Sequence, residues 1–299
     1  MTTTTETTDI NTLPESKLSA LIRLTRYAEH IPFTIPLTIG GGLLAVTMHD
    51  LTVDWRLFAV TAANILALAF AFMINDVEDA PDDALDPRKK AHNVISSGLI
   101  SRREGYIACG LVVLAALALY LPGGTLAFIS GVVTLVLCYL YSAHPFRLKA
   151  RPLTDVISHA LMLSGLLMLT GYLIYYPAPG EAWAVIIAVT LASAYGQFFN
   201  QVDDYEVDKA AGLKNTVVLL GKSLTTGLSY ACVVGTVIGL GIAINQGLFP
   251  SWAGVIGLIG IFIALILPWS QDMRGNPVEG SGVIQRPVLM VANLVVLVW

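Results

Sequence analysis

Long apolar stretches alternate with short polar ones along almost the whole chain. Those at 28–48, 55–75, 104–121, 124–142, 153–176, 181–200, 224–245, 250–270 and 283–299 match the roughly 17 to 25 residues that a helix needs to cross a hydrocarbon core. The pattern predicts an all-α polytopic membrane protein with nine transmembrane helices, the last one short and stopping at Trp299. Pro122-Gly123-Gly124 and Pro177-Ala178-Pro179-Gly180 read as tight connections. Gly40, Gly41 and Gly42, and further on Gly235, Gly239 and Gly241, lie inside apolar stretches, where small residues let helices pack closely. Residues 1–16 are polar and Thr-rich, with no apolar segment, and read as a disordered tail rather than a signal peptide. Residues 17–299 then form a single transmembrane domain.

Composition agrees with this reading. Hydrophobic residues make up 55% of the chain and charged residues 13%, where a soluble domain carries roughly a quarter charged residues. Cys109, Cys138 and Cys232 all fall within apolar stretches and read as small buried hydrophobes. Their spacing fits neither a disulfide framework nor a zinc site.

The net charge of −4 matters less than where the charges sit. Lys17, Arg23 and Arg26 precede the first span; Arg88, Lys89, Lys90, Arg102 and Arg103 follow the second. Arg147, Lys149 and Arg151 follow the fourth, Lys209, Lys214 and Lys222 the sixth, and Arg274 and Arg286 flank the last loop. Of the basic residues, Arg56 alone falls on the other side. The positive-inside rule puts the N-terminus and the loops after even-numbered helices in the cytoplasm.

Two of those loops begin with acidic clusters. The first holds Asn75, Asp76, Asp79 and Asp83, and the second Asn200, Asp203, Asp204 and Asp208. Asn75 and Asn200, Asp79 and Asp204, Asp83 and Asp208, and Lys89 and Lys214 are each 125 residues apart. The offset predicts two four-helix repeats, about 22–145 and 146–270, with 283–299 as an added ninth helix. Spacing of i, i+4, i+8 lines each cluster on one helical face. Pro81 is expected to interrupt the first helix and leave Asp83 in a loop, whereas the second has no such breaker. Clustered carboxylates repel one another unless a cation intervenes, and oxygen-only ligands suit a hard ion such as Mg²⁺ or Ca²⁺. Lys89, Arg147, Lys149, Lys209 and Lys214 are natural partners for phosphate oxygens. Acidic and basic groups together at a membrane surface suggest a diphosphate whose tail lies in the bilayer.

These motifs resemble those of the UbiA-type intramembrane prenyltransferases. Asn75-Asp76-x-x-Asp79-x-x-x-Asp83 is similar to their first signature, and Asp204-x-x-x-Asp208 with Gly212-Leu213-Lys214-Asn215-Thr216 to their second. Tyr141-Ser142-Ala143-His144-Pro145, with Lys149, resembles the loop after their fourth helix. The resemblance implies nine helices around a central cavity and two Mg²⁺ ions holding a polyprenyl diphosphate. Asn75, Asp76, Asp79 and Asp83 would bind one ion; Asn200, Asp204 and Asp208 the other. Lys149, Lys214 and Arg147 would grip the diphosphate, with Asp79, Asp204, Lys149 and Lys214 as the catalytic set. Where many relatives carry Arg-Pro, this chain reads His92-Asn93-Val94-Ile95-Ser96-Ser97-Gly98. Its Asp86-Pro87-Arg88-Lys89 is similar to the Asn-Pro-Arg-Lys of some carotenoid-elongating members.

The implied reaction is ionisation of an allylic C–O bond, then capture of the cation by a lipophilic acceptor. Tyr139, Tyr172, Tyr175, Tyr195 and Phe198 are candidates for an aromatic wall around that cation. Asp155 and His159, i and i+4 within a span, read either as a proton acceptor in the cavity or as a hydrogen-bonded capping pair. Arg26, Glu29 and His30 read as an interfacial charge cluster, or alternatively as residues that touch the acceptor. The expected partners are a polyprenyl diphosphate, a lipophilic acceptor and membrane lipid, with no nucleic acid. A terpene cyclase using the same ionisation is the near alternative, and a cation transporter the distant one. Transporter carboxylates usually sit near the midplane on broken helices, whereas these lie at cytoplasmic helix ends beside lysines.

Overall fold

The computed structural model describes residues 16–210, 212–266 and 285–299. Residues 1–15 of the expected tail, Arg274 and the adjoining ends of the last two expected spans lie outside them. Helices follow in the order α1 (Lys17–Leu24), α2 (Tyr27–His49), α3 (Trp55–Asp83), α4 (Pro87–His92), α5 (Arg102–Tyr120), α6 (Thr125–Ser142), α7 (Thr154–Ala160), α8 (Leu166–Leu173), α9 (Trp183–Asp203), α10 (Tyr205–Ala210), α11 (Thr216–Leu220), α12 (Lys222–Asn245), α13 (Ser251–Ile266) and α14 (Gln285–Val298). A π-helical turn at Leu161–Gly165 joins α7 to α8, making one rod of Thr154–Leu173.

Seven helices are long and apolar enough to cross a membrane: α2, α3, α5, α6, the α7–α8 rod, α9 and α12. They coincide with the first seven expected spans. Within the described residues, α13 has 16 residues and α14 has 14. No strand occurs among the described residues.

Capping residues explain several of the starts. Ser101 and Glu104 form a reciprocal capping box on α5, and the side chains of Asp54, Asp86 and Asn215 accept the first free N–H groups of α3, α4 and α11. Ser16 does the same for α1, a short amphipathic helix that turns into α2 through a left-handed Arg26, φ 49°.

The most buried long helix is α3, which packs against α2, α5, α6 and α8. Its Ala63, Ala67, Leu68, Met73, Ile74 and Val77 form a continuous core with Tyr120 and Leu167. One polar residue, Asn64, sits fully buried within it. Asn64 donates to Thr38 Oγ1 at 2.9 Å and to the Leu167 carbonyl at 3.3 Å, and accepts from the Tyr120 hydroxyl at 2.6 Å. These bonds tie α2, α5 and α8 to α3, in a place where an unmet polar group would be costly.

Backbones of α2 and α8 touch. A Cβ on Gly41 would stand 2.0 Å from the Met168 carbonyl oxygen, and one on Gly171 2.0 Å from that of Thr38. Gly241, by contrast, faces open space, so close packing does not explain it. Gly171→Leu is therefore expected to abolish the monodisperse size-exclusion peak of the purified protein, while Gly241→Leu leaves it unchanged.

Candidate active site

The first acidic cluster occupies the last turns of α3. The helix runs unbroken through Pro81 to Asp83, against the expectation of a break. Proline at 81 removes the N–H that would have bonded the Val77 carbonyl. Arg102 of α5 donates its Nε to that carbonyl at 3.2 Å and so satisfies it. The second cluster behaves the opposite way. Helix α9 ends at Asp203 and α10 begins at Tyr205, with Asp204 at ψ near 0° between them. The i to i−4 bonds from Asp204 N to the Asn200 carbonyl (3.0 Å) and from Asp208 N to the Asp204 carbonyl (2.9 Å) persist across this joint. The interruption is a kink rather than a loop.

Asn75 and Asp79 share a face of α3 and meet the loop between α6 and α7. Lys149 donates to Asn75 Oδ1 at 2.7 Å and pairs directly with the Asp79 carboxylate. Burial lowers the pKa of this lysine, against the opposing charge of Asp79. Arg147 donates to Asp79 at 2.9 Å and to Asp82 at 3.1 Å. Ser142 adds a third partner for the cluster, 3.1 Å from Asn75 Oδ1.

Asp76 is buried and pairs with Arg26 at 3.4 Å. Arg26 is itself held by both oxygens of Glu29, each at 2.7 Å, and lies 4.9 Å from the centre of the Phe72 ring. The Arg26–Glu29 pair is thus joined to the first cluster, beyond the interfacial role expected for it. Asp83 accepts from Asn93 Nδ2 at 2.9 Å, and the same nitrogen reaches the Asp76 carbonyl at 2.8 Å. Asn93 Oδ1 in turn accepts from the Ile95 and Ser96 amides. At the place of the missing Arg-Pro, Asn93 therefore staples the loop to α3. Together these groups line a cavity of about 340 Å³. Asn75, Asp76, Asp79 and Asp83 come from α3, and Arg26, Arg88, Lys89, His92 and Asn93 complete the wall.

Lys89, on the cavity wall, also lies close enough to Asp208 for its charge to act there. Burial raises the pKa of Asp208, opposed by a hydrogen bond from Asn215 at 2.6 Å and by the charge of Lys89. Asn200 is half-buried, and Asp204 and Lys214 are exposed. Lys209 lies against its own helix, 3.5 Å from the Tyr205 hydroxyl and 5.5 Å from that ring's centre. Lys149, Arg147 and Lys89 gather around the acidic residues; Lys209 does not join them. Among the described residues no three carboxylate, imidazole or thiol groups converge on one point. Lysine and arginine, rather than further acids, surround Asp79. The oxygen donors on α3 still match the ligand type of a hard divalent ion.

Asp155 is hydrogen-bonded on every side, closer to the second of its two expected readings than to the first. It is fully buried and accepts from Val156 N at 2.8 Å, Gln201 Nε2 at 2.8 Å, Thr216 N at 2.7 Å and the Thr216 hydroxyl. Those bonds pin α7 to α9 and to the start of α11, and they use both carboxylate oxygens. His159 lies 6.3 Å from the Tyr141 ring.

Tyr172 meets the far end of α2. It is fully buried, 2.9 Å from His49 at the end of α2 opposite Arg26. Tyr175 bonds Asp54 N at that same end, at 3.0 Å. Phe198 packs with Val156, Ala160 and Ala194; Tyr195 lies 6.3 Å from Phe199, and Tyr139 is 43% exposed. None of these five rings lines the cavity that holds the α3 carboxylates. Cys109 and Cys138 are buried and Cys232 is half-buried, all as free thiols.

One group around the cluster has no counterpart in the sequence reading. Glu78 accepts from the Tyr106 hydroxyl and meets His144 Nδ1, each at 2.9 Å, and His144 Nε2 lies 3.1 Å from Arg147. Glu78 stands inside the first acidic stretch at a position that the i, i+4, i+8 spacing skips, and His144 belongs to the loop motif of Tyr141 to Pro145, where no role marks it out.

Comparison with known proteins converges on one family. Residues 34–277 match the model of the UbiA prenyltransferase family. A lycopene elongase/hydratase of Haloarcula japonica is 27% identical over 222 residues, covering 74% of this chain and 72% of that protein. A 4-hydroxybenzoate octaprenyltransferase of Aliivibrio salmonicida is 27% identical over 254 residues, with 83% and 86% covered. Among solved structures, a UbiA homologue from Archaeoglobus fulgidus bound to GPP and Mg²⁺ superimposes with a TM-score of 0.72 at 26% identity, over 93% of this chain and 97% of that one. With the family model spanning most of its length and the helical fold shared, the chain belongs to the UbiA prenyltransferase family.

Proposed function

We propose that the protein transfers a prenyl group from a polyprenyl diphosphate to a lipophilic acceptor by ionising the allylic C–O bond. The observation that carries this reading is the meeting of Lys149 and Arg147 at Asn75 and Asp79, at the edge of a cavity that also holds Lys89 and Arg88. Asn75, Asp76, Asp79 and Asp83 would hold one divalent ion, and Asn200, Asp204 and Asp208 a second. When bound, the ions supply charge stabilisation of the leaving diphosphate. Support for Mg²⁺ comes from the Archaeoglobus homologue, which carries it together with GPP.

Lys149, Arg147 and Lys89 bind phosphate oxygens and stabilise the charge that develops as the C–O bond breaks. Lys214, exposed on the second motif, is the proposed phosphate partner from the second cluster. The bonding pair leaves with the diphosphate. An electron pair of the acceptor then forms the new bond to the allylic carbon, and a proton is lost from the adduct. The relatives' names, an elongase and an octaprenyltransferase, favour a second substrate over cyclisation.

The same proposal keeps two four-helix repeats with a ninth helix and places the N-terminus and both clusters in the cytoplasm. Arg56, the basic residue on the opposite side, is neutralised there by Asp54 at 2.8 Å, which leaves the positive-inside asymmetry intact.

The test uses the purified chain in lipid nanodiscs with geranyl, farnesyl or geranylgeranyl diphosphate, with and without Mg²⁺, and with membrane lipid extract as acceptor source. The expected result is Mg²⁺-dependent diphosphate release together with a prenylated lipid. Release yielding only a terpene alcohol or hydrocarbon, whether or not extract is present, would replace transfer by the cyclase reading. No release with any donor would sink both.

A further inference from the structure

Arg147 owes its aim to a chain of side chains that starts on another helix. Its backbone is left-handed, φ 41°, a conformation that costs a non-glycine residue free energy unless its surroundings hold it. Its guanidinium is anchored at two points. One Nη donates to Asp79 at 2.9 Å and to Asp82 at 3.1 Å; the other lies 3.1 Å from His144 Nε2. A guanidinium only donates, so Nε2 of His144 must be the acceptor in that contact. The proton of the neutral imidazole is then on Nδ1, which points at Glu78 Oε2 from 2.9 Å. Glu78, 9% exposed, can therefore set the tautomer. Its other oxygen accepts from the Tyr106 hydroxyl at 2.9 Å, and Tyr106 is in turn 3.3 Å from Arg102. That is the same arginine that satisfies the carbonyl freed by Pro81.

We propose that Glu78 and His144 are positioning residues that aim Arg147 at the diphosphate of the donor. Neither needs to touch substrate. Glu78 holds the imidazole with its Nε2 lone pair turned to Arg147, and that lone pair fixes one Nη so that the rest of the guanidinium stays beside Asp79. Without the brace, Arg147 keeps its charge but loses the second point that determines its orientation. The inference rests on the proposed prenyl diphosphate reading, and it extends that reading to residues outside the repeated Asn and Asp positions.

The test compares His144→Phe, His144→Gln, Arg147→Gln and the His144→Phe/Arg147→Gln double variant as full-length chains in nanodiscs, with geranylgeranyl diphosphate, Mg²⁺ and lipid extract. Because His144 is largely exposed, its replacement by Phe should lower kcat/KM for the donor by roughly fivefold and leave the KM for the acceptor extract unchanged. Glutamine presents an acceptor close to the position of Nε2, so His144→Gln is expected within about twofold of the wild type. In the Arg147→Gln background the Phe substitution should cost nothing further, within about twofold, since the residue it acts through is gone. Glu78→Ala, which releases the brace from its other end, should follow the same pattern. The proposal is overturned if His144→Phe matches the wild type, if its loss multiplies with that of Arg147→Gln, or if the acceptor KM moves with it. A wild-type chain that releases no diphosphate would instead count against the functional reading.

Discussion

Asp79→Ala is expected to lower diphosphate release by roughly a thousandfold, the largest effect of any single change at the site. Two losses combine. Asp79 is one of the proposed metal ligands, and it is the carboxylate that meets both Lys149 and Arg147. Lys149 is largely buried, with 17% of its side chain exposed, and removing the partner of a buried charge costs about 3–5 kcal/mol. A loss of that size in the transition state is worth roughly two to four powers of ten, at about 1.36 kcal/mol each. The measurement is release of diphosphate from geranylgeranyl diphosphate at saturating Mg²⁺. Asp54→Asn at the opposite end of α3 serves as control and is expected to retain wild-type turnover. If Asp79→Ala kept more than about a tenth of the activity, the placement of the chemistry at this cluster would be wrong.

Asp155→Leu is expected to have the largest effect on folding. Its carboxylate accepts four hydrogen bonds in a fully buried position, two of them from Thr216 and one from Gln201. Leucine would leave those donors unmet, at about 1–3 kcal/mol each. Several therefore amount to a large part of the 5–15 kcal/mol by which a domain is usually stable. The expected outcome is a loss of monodisperse protein after extraction, or an unfolding midpoint lowered by well over 10 °C by roughly the usual scaling. Asp155→Asn retains one acceptor oxygen and should fall between. If Asp155→Leu unfolded at the wild-type temperature but lost activity, Asp155 would return to the substrate cavity as a proton acceptor.

The two acidic stretches show where reading along the chain succeeds and where it fails. Their presence at equivalent helix ends was legible because apolar length and i, i+4 spacing are local properties. Their helical continuity was not. Pro81 looks like a breaker, yet the helix passes through it because Arg102, 25 residues from Val77, takes up the freed carbonyl. The second stretch contains no proline, yet it kinks at Asp204.

Asp155 carries the same lesson. An ionisable residue inside a span marks something important, but whether it serves chemistry or architecture depends on Thr216 and Gln201, 61 and 46 residues away. For Arg26 the deciding partner is Asp76, 50 residues away, which holds it on the cavity wall rather than at the surface.

Membrane class, the positions of the first seven long helices and the two oxygen-rich clusters follow from composition and spacing, since lipid burial and carboxylate repulsion act on any chain with that pattern. Which cation neutralises which carboxylate is a different kind of fact. Lys149 and Arg147 reach Asp79 across 70 and 68 residues, and Glu78 meets His144 across 66. Such pairings exist only once α3, α5 and the loop after α6 have packed together, because an ion pair depends on separations of a few ångströms that no local pattern encodes. The twin clusters are written in the chain, and their division into a first cluster braced by lysine and arginine and a more open, kinked second one arises from the tertiary fold.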